Sequence, residues 1–236
     1  MGNLDLTTLN GINSVGRSGL YPIRVGEGNE NVAWLGKDGS AISLPWQQAL
    51  ALEGRCFSIT VGALVTGIAS GAGTIPELAE PEFVIGVPAG TVMMPLRVAC
   101  QCFVADAIAD HSHEEIIVGI DRGKTYDGTG TCTAEVAYNL RTDNPRSTMC
   151  TCVSAVTADI TSIPVMLTEL ARTAIFVEQT TAVGTVPIEV SLLYQPVVAP
   201  FIVGPAMLVG MWGGTSALTG YAQVYWAEWT KTELGL

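Results

Sequence analysis

The chain has 236 residues, 22 acidic and 11 basic, for a net charge of −11, with 14% of residues charged and 48% hydrophobic. That acidity repels phosphate backbones and excludes direct nucleic-acid binding from the expected functions. So little charge covers a monomer of this size poorly, which points to surface buried against other subunits; the length suits one main domain with extensions.

Residues 1–54 are rich in Gly, Asn and Ser, with "VGEGNENVAWLGKDGS" in the middle, and read as an extended arm with room for one small hairpin. The opening "MGNLDLTTLNG" has no basic start and no apolar core, so no secretory signal is expected. Leu6 stands where a myristoylation motif wants Ser or Thr. At the end of the arm, "LPWQQALALEG" (44–54) predicts a short helix. Pro45 suits its first turn, Gln47 to Glu53 are good helix formers and Gly54 suits a stop.

From Cys56 onward the chain reads as strands separated by Gly and Pro: "CFSITVGALVTGIAS", "EFVIGV", "TVMMPLRVACQCFVAD", "EEIIVGID", "TCTAEVAYNLRT", "TMCTCVSAVTA", "AIFVEQTT", "PIEVSLLYQP", "PFIVG", "AMLVGMWGG" and "GYAQVYWAEWT". Their number and spacing predict an all-β sandwich or barrel. In the third of them Val92, Met94, Leu96, Val98, Cys100, Cys102 and Val104 share one parity and hence one face of a strand. Only "PVMLTELART" (164–173) predicts a second short helix. The longest apolar run, 196–214, is broken by Pro200, Gly204, Pro205 and Gly210, so strands and bends fit it better than a membrane-spanning helix.

Both histidines fall in "ADHSHEEIIVG", residues 109–119. Cupins build a metal site from an H-x-H pair, a glutamate several residues on and a further histidine on a later strand. Here Ile117 and Val118 follow at the corresponding distance and there is no third histidine, so the segment reads as a polar loop entering the strand "IIVGI". Cys56, Cys100, Cys102, Cys132, Cys150 and Cys152 include two C-x-C pairs. They are expected to be small buried apolar groups rather than a four-thiolate site, because structural zinc more often uses C-x2-C. The carboxylate pairs Glu77 with Glu80 and Asp121 with Asp127 are what 22 acidic residues produce by chance, and no phosphate-binding loop or nucleophile elbow occurs. The expectation is a protein with no catalytic residues, metal or cofactor.

In the final strand Tyr221, Gln223, Tyr225, Ala227 and Trp229 lie on one face and Ala222, Val224, Trp226 and Glu228 on the other. Rings on both faces fit a strand that packs a core on one side and a neighbouring subunit on the other.

The phrases "PEFVIGVPAGTVMMPLRV", "EEIIVGIDRG", "NLRTDNP", "LYQPVVAPFIVGPAMLVGMWGG" and "TGYAQVYWAEW" resemble jelly-roll virion structural proteins of tailed bacteriophages, of the capsid cement or decoration type. The resemblance covers residues 56–236 and implies a jelly-roll β-sandwich with an extended N-terminal arm: residues 1–54 as the arm, 55–236 as the sandwich. It implies a non-enzymatic protein that forms a homotrimer and binds the major capsid protein on the capsid exterior, after synthesis in the host cytoplasm. Phe201, Met207, Met211, Trp212, Tyr221, Tyr225, Trp226 and Trp229 are the expected self-association surface, and Leu20, Tyr21, Trp34 and Trp46 the expected capsid contacts of the arm. The alternative reading is a tail or spike module that recognises host carbohydrate.

Overall fold

A computed structural model of the chain describes residues 45–63, 66–71, 76–104, 111–143, 145–161, 164, 168–178, 189–215 and 218–236. It begins with a helix, α1 (Trp46–Leu52), followed by β1 (Cys56–Val61), β2 (Ile68–Ala69), β3 (Phe83–Val87), β4 (Thr91–Val104) and β5 (His111–Arg122). Next come β6 (Thr133–Ala134), β7 (Tyr138–Asn139), β8 (Thr151–Ser154), β9 (Thr168–Glu178) and β10 (Glu189–Tyr194). The chain ends with β11 (Ile202–Val203), β12 (Ala206–Gly214), β13 (Leu218–Thr230) and a 3-10 turn at Thr232–Leu234.

The strands form two antiparallel sheets packed face to face, so the expected all-β sandwich is present. One sheet runs β10-β4-β13-β1-β7, with β11 also paired to β4 and β2 to β13; the other runs β6-β8-β3-β12-β5-β9. Between them lies the main core, to which Phe57, Ile59, Ile85, Met93, Val118, Leu208, Trp212, Val224 and Trp226 contribute. In β10 buried and exposed residues alternate, the signature of a strand with one face on the core. In β12 all nine residues are buried. Ala206, Leu208 and Trp212 face the core, while Met207 and Val209 pack on the other side against Val84, Val153, Val156 and Ile160. Gly210 is needed in this strand: a Cβ there would lie 1.9 Å from the Phe83 ring.

Several expectations change here. The helix at 44–54 forms, with Pro45 just outside its first turn and Gly54 in a left-handed conformation (φ 71°) after it. The second helix does not. Residues 165–167 lie outside the described residues, and from Thr168 the chain is β9, paired with β5 from His111↔Glu178 to Ile120↔Thr168. Helix propensity in "TELART" is a weak local preference, and it yields to the backbone partners that β5 offers along its open edge. "TCTAEVAYNLRT" forms two two-residue pairings, β6 and β7, rather than one strand.

The parity of β4 also breaks. Tyr225 pairs with Arg97 but Trp226 pairs with Pro95, so Leu96 is an extra residue, a β-bulge. Beyond it Val98, Cys100 and Cys102 face the core; before it Met93 does, while Met94 and Leu96 turn to the outer side.

On that outer side α1 lies across one end of the seven-stranded sheet. Its Leu50 and Ala51 pack on Cys56, Met94, Ala227 and Trp229. Arg55, just after the helix, bonds Glu53 at 2.7 Å and both carboxylate oxygens of Glu233 at 2.7 and 3.1 Å, tying the helix end to the C-terminal turn. The helix that closes the predicted arm is therefore packed on the sandwich. Residues 1–44 lie outside the described residues.

Candidate interaction surface

The residues that suggested chemistry have structural roles. The segment from His111 is already β5, not a loop; residues 105–110, with Asp106 and Asp110, lie outside the described residues. The His113 imidazole stacks on the exposed Phe176 ring at 4.4 Å and 16°, and its backbone N–H donates to the Thr215 hydroxyl at 3.0 Å. Among the described residues no three of His, Cys, Asp and Glu come together as a metal-binding group. Cys56, Cys100, Cys102, Cys150 and Cys152 are buried free thiols. Burial pushes the pKa values of Cys56, Cys100 and Cys152 up to about 12 and raises those of Cys102 and Cys150 too, so these groups pack as neutral thiols.

Buried carboxylates act as internal fasteners. Glu228 is fully buried and accepts from the Trp226 indole N–H at 2.6 Å, the Met149 backbone N–H at 2.8 Å and the Thr148 hydroxyl. Glu82 accepts from the backbone N–H groups of Gly71 and Trp212, each at 2.8 Å. Neither reaches solvent, so neither is placed to meet a substrate.

The cross-strand register defines the outer surface of the seven-stranded sheet. On the outer face of the seven-stranded sheet, one row holds Tyr138, Ser58, Tyr225 and Arg97; the next holds Thr60, Gln223, Ala99 and Leu193. A third row holds Tyr221, Gln101 and Ser191, and a fourth Thr219, Phe103 and Glu189. Tyr138 and Leu193 are exposed, and Tyr221 and Tyr225 half-buried. Thr60, Arg97, Ala99, Gln101, Leu193 and Tyr221 are among the residues around a depression of about 380 Å³ in this face.

Beside it, next to α1, is an apolar groove of about 500 Å³ lined by Trp46, Leu50, Met94, Val197, Phe201 and Trp229, among others. Its outer wall is unusually bare for apolar residues. Val197 is 100% exposed, Val198 85%, Phe201 56% and Trp46 49%. Phe201 meets Trp229 edge to face at 5.8 Å. Trp229 is 4% exposed, and its indole N–H has no acceptor among the described residues. A buried donor left without an acceptor is costly. A partner seated in the groove with a carbonyl oxygen would remove that cost.

The predicted contact residues divide accordingly. Phe201 stands on the groove wall, Trp46 lies opposite on α1, and Tyr221 and Tyr225 lie on the outer sheet face. Met207, Met211, Trp212 and Trp226 are at most 3% exposed, so they cannot form the outer skin of a self-association surface, whereas Trp229, 4% exposed, lines the groove. Their size made them candidates; the second sheet, the loops over β12 and helix α1 cover them within the chain. Leu20, Tyr21 and Trp34 lie outside the described residues. Sequence reasoning passed over Arg97, Tyr138, Val197 and Val198. For the last two a signal exists in "QPVVAPF", where Pro196 and Pro200 bracket the valines and deny them a place inside a ladder.

No protein-family model matches the chain, and neither a curated protein nor a solved structure matches it.

Proposed function

We propose that the chain is a non-enzymatic virion structural protein of a tailed bacteriophage, a capsid cement or decoration protein that associates with itself as a trimer and binds the major capsid protein. The observation that carries this reading is the apolar wall Val197–Phe201 beside a groove whose buried indole N–H lacks an acceptor among the described residues. Such a surface is stabilised when another chain covers it.

Strand order supports the jelly-roll part of the reading. Number the eight principal strands β1, β3, β4, β5, β9, β10, β12 and β13 from one to eight. The sheets then read 1-8-3-6 and 2-7-4-5, the order that two nested Greek keys give, with β6 to β8 as an insertion between the fourth and fifth. Jelly rolls of this kind recur in viral shells. The acidic surface and the absence of a helix long and apolar enough to cross a membrane, among the described residues, are compatible with it.

Light scattering on the purified full chain tests the reading. The expected mass is three times 24.8 kDa, and Val198→Asp, at a site too exposed to disturb the protomer, should reduce it to that of one chain. Deleting residues 1–40 should leave the oligomer intact and abolish attachment to capsids. Loss of the oligomer instead would assign self-association to the arm, and a wild-type monomer would remove the reading's main support.

The outer sheet face favours a second reading, a tail or spike module that recognises host carbohydrate. Tyr138, Tyr221, Tyr225 and Phe103 share that face with amide and hydroxyl side chains, a mixture suited to sugars.

A further inference from the structure

We propose that the outer face of the seven-stranded sheet binds carboxylate-bearing oligosaccharides, with the Tyr221 ring as the stacking surface for one sugar and the Arg97 guanidinium as the partner of the carboxylate. This rests on the second reading above and is independent of the shell role.

Tyr221 is held for stacking before any ligand arrives. A Cβ on Gly62 would lie 2.9 Å from its Cδ1, so the absence of a side chain there lets the ring rest against the backbone. The Phe103 ring meets it edge-on at 6.3 Å and 77°. A ring fixed in this way loses little freedom on binding.

Arg97 lies four positions along β4 from Gln101, the cross-strand partner of Tyr221, a separation of about 13 Å at the rise of an extended strand. One sugar ring does not span that distance, so the ligand has at least two. The guanidinium lies 6.0 Å from the centre of the Tyr225 ring and makes no ion pair with a described residue, whereas Arg55, Arg141 and Arg172 each pair with a carboxylate. An unpaired guanidinium on a stable platform suits a carboxylate, which it can bind through two parallel N–H donors.

Between the two ends Ala99 and the exposed Leu193 line the depression together with Gln101, Gln223, Thr60 and Ser191. Amides and hydroxyls both donate and accept, as sugar hydroxyls do. The chain's net charge of −11 repels anions in general, so an acidic ligand held here depends on this local cation.

Titration calorimetry with the full chain distinguishes the possibilities, using trigalacturonic acid, neutral maltotriose and a short poly-glutamate as probes. Trigalacturonic acid should bind at least tenfold more tightly than maltotriose. Arg97→Met should remove that preference with an unchanged unfolding midpoint, Tyr221→Ala should weaken both sugars at least tenfold while the chain stays folded at the assay temperature, and Tyr221→Phe should restore binding. Equal binding of the two sugars would overturn the role of Arg97 and leave the carbohydrate reading standing. Binding of poly-glutamate as tight as that of the acidic sugar would assign the face to an acidic protein. No binding by any probe would overturn both the inference and the carbohydrate reading.

Discussion

Glu82 stands at the start of β3 with one carboxylate oxygen on the backbone N–H of Gly71 and the other on that of Trp212. Burial pushes its pKa up to about 8, against the pull of those donors. A carboxyl whose folded-state pKa is raised holds its proton more tightly when folded. Its contribution to stability is therefore complete below about 4.5 and is lost as pH rises towards about 8. Glu82→Gln keeps the shape but presents an amide NH2 to one of two backbone donors, leaving that donor buried without an acceptor. The expected cost is about 1–3 kcal/mol near pH 5. Because only the wild type can ionise here, the difference between the two should narrow between pH 5 and pH 9 in urea denaturation. A difference that widened would mean that the carboxyl is ionised throughout. The side chain is plain in the sequence, but its burial depends on Gly71 and Trp212, 11 and 130 positions away.

At the scale of elements, β4 carries the most information. Its bulge at Leu96 switches the parity that faces the core, from Met93 before it to Val98, Cys100 and Cys102 after it, and so leaves Met94 in the cluster under α1. Removing Leu96 would bring the pairs Tyr225↔Arg97 and Trp226↔Pro95 next to each other as a regular ladder and leave Met93, now fully buried, in the core. The expected loss is about 1–2 kcal/mol, from the Leu96 side chain and the change in local twist. Leu96→Ala, which trims a half-buried side chain and keeps the bulge, should cost about 1 kcal/mol. Similar midpoints for the two variants would show that the bulge geometry itself adds little stability. Alternation in the sequence predicted a strand here and put Val98, Cys100 and Cys102 on the core side, as found. It assigned Met94 to the same side because an inserted residue leaves no mark on hydrophobicity.

For the whole molecule, two carboxyls set opposing limits on stability. The Arg55 guanidinium beside Glu233 holds that carboxyl down to about 2, so its contribution is present above about 4.5 and is lost as pH falls towards about 2. Glu82 acts in the reverse sense from about 4.5 to about 8, and a chain carrying −11 at neutral pH repels itself increasingly over the same range. Thermal unfolding at low protein concentration should therefore give its highest midpoint near pH 4.5 to 5, with a decline on both sides. Glu82→Gln should flatten the alkaline decline and leave the acid one. A maximum at neutral pH would show that other groups dominate.

The sequence by itself determined the all-β class, the limits of β3, β4, β10, β12 and β13 to within two residues, the short helix before Cys56 and the buried character of the paired cysteines. Each of these follows from patterns of a few neighbouring residues: alternation, punctuation by Gly and Pro, helix formers between a proline and a glycine. Only the tertiary structure decided which large side chains remain outside. Met207, Trp212 and Trp226, large enough to be contact residues, are covered by the opposite sheet and the loops over β12, while Trp229 packs with the α1 cluster and lines the groove. Val197, Val198 and Arg97 attracted no notice until their neighbours were known to leave them bare. Exposure is a property of what packs against a residue, and in an antiparallel sandwich that neighbour usually comes from a distant part of the chain. For the same reason TELART reads as a helix alone and folds as an edge strand beside β5.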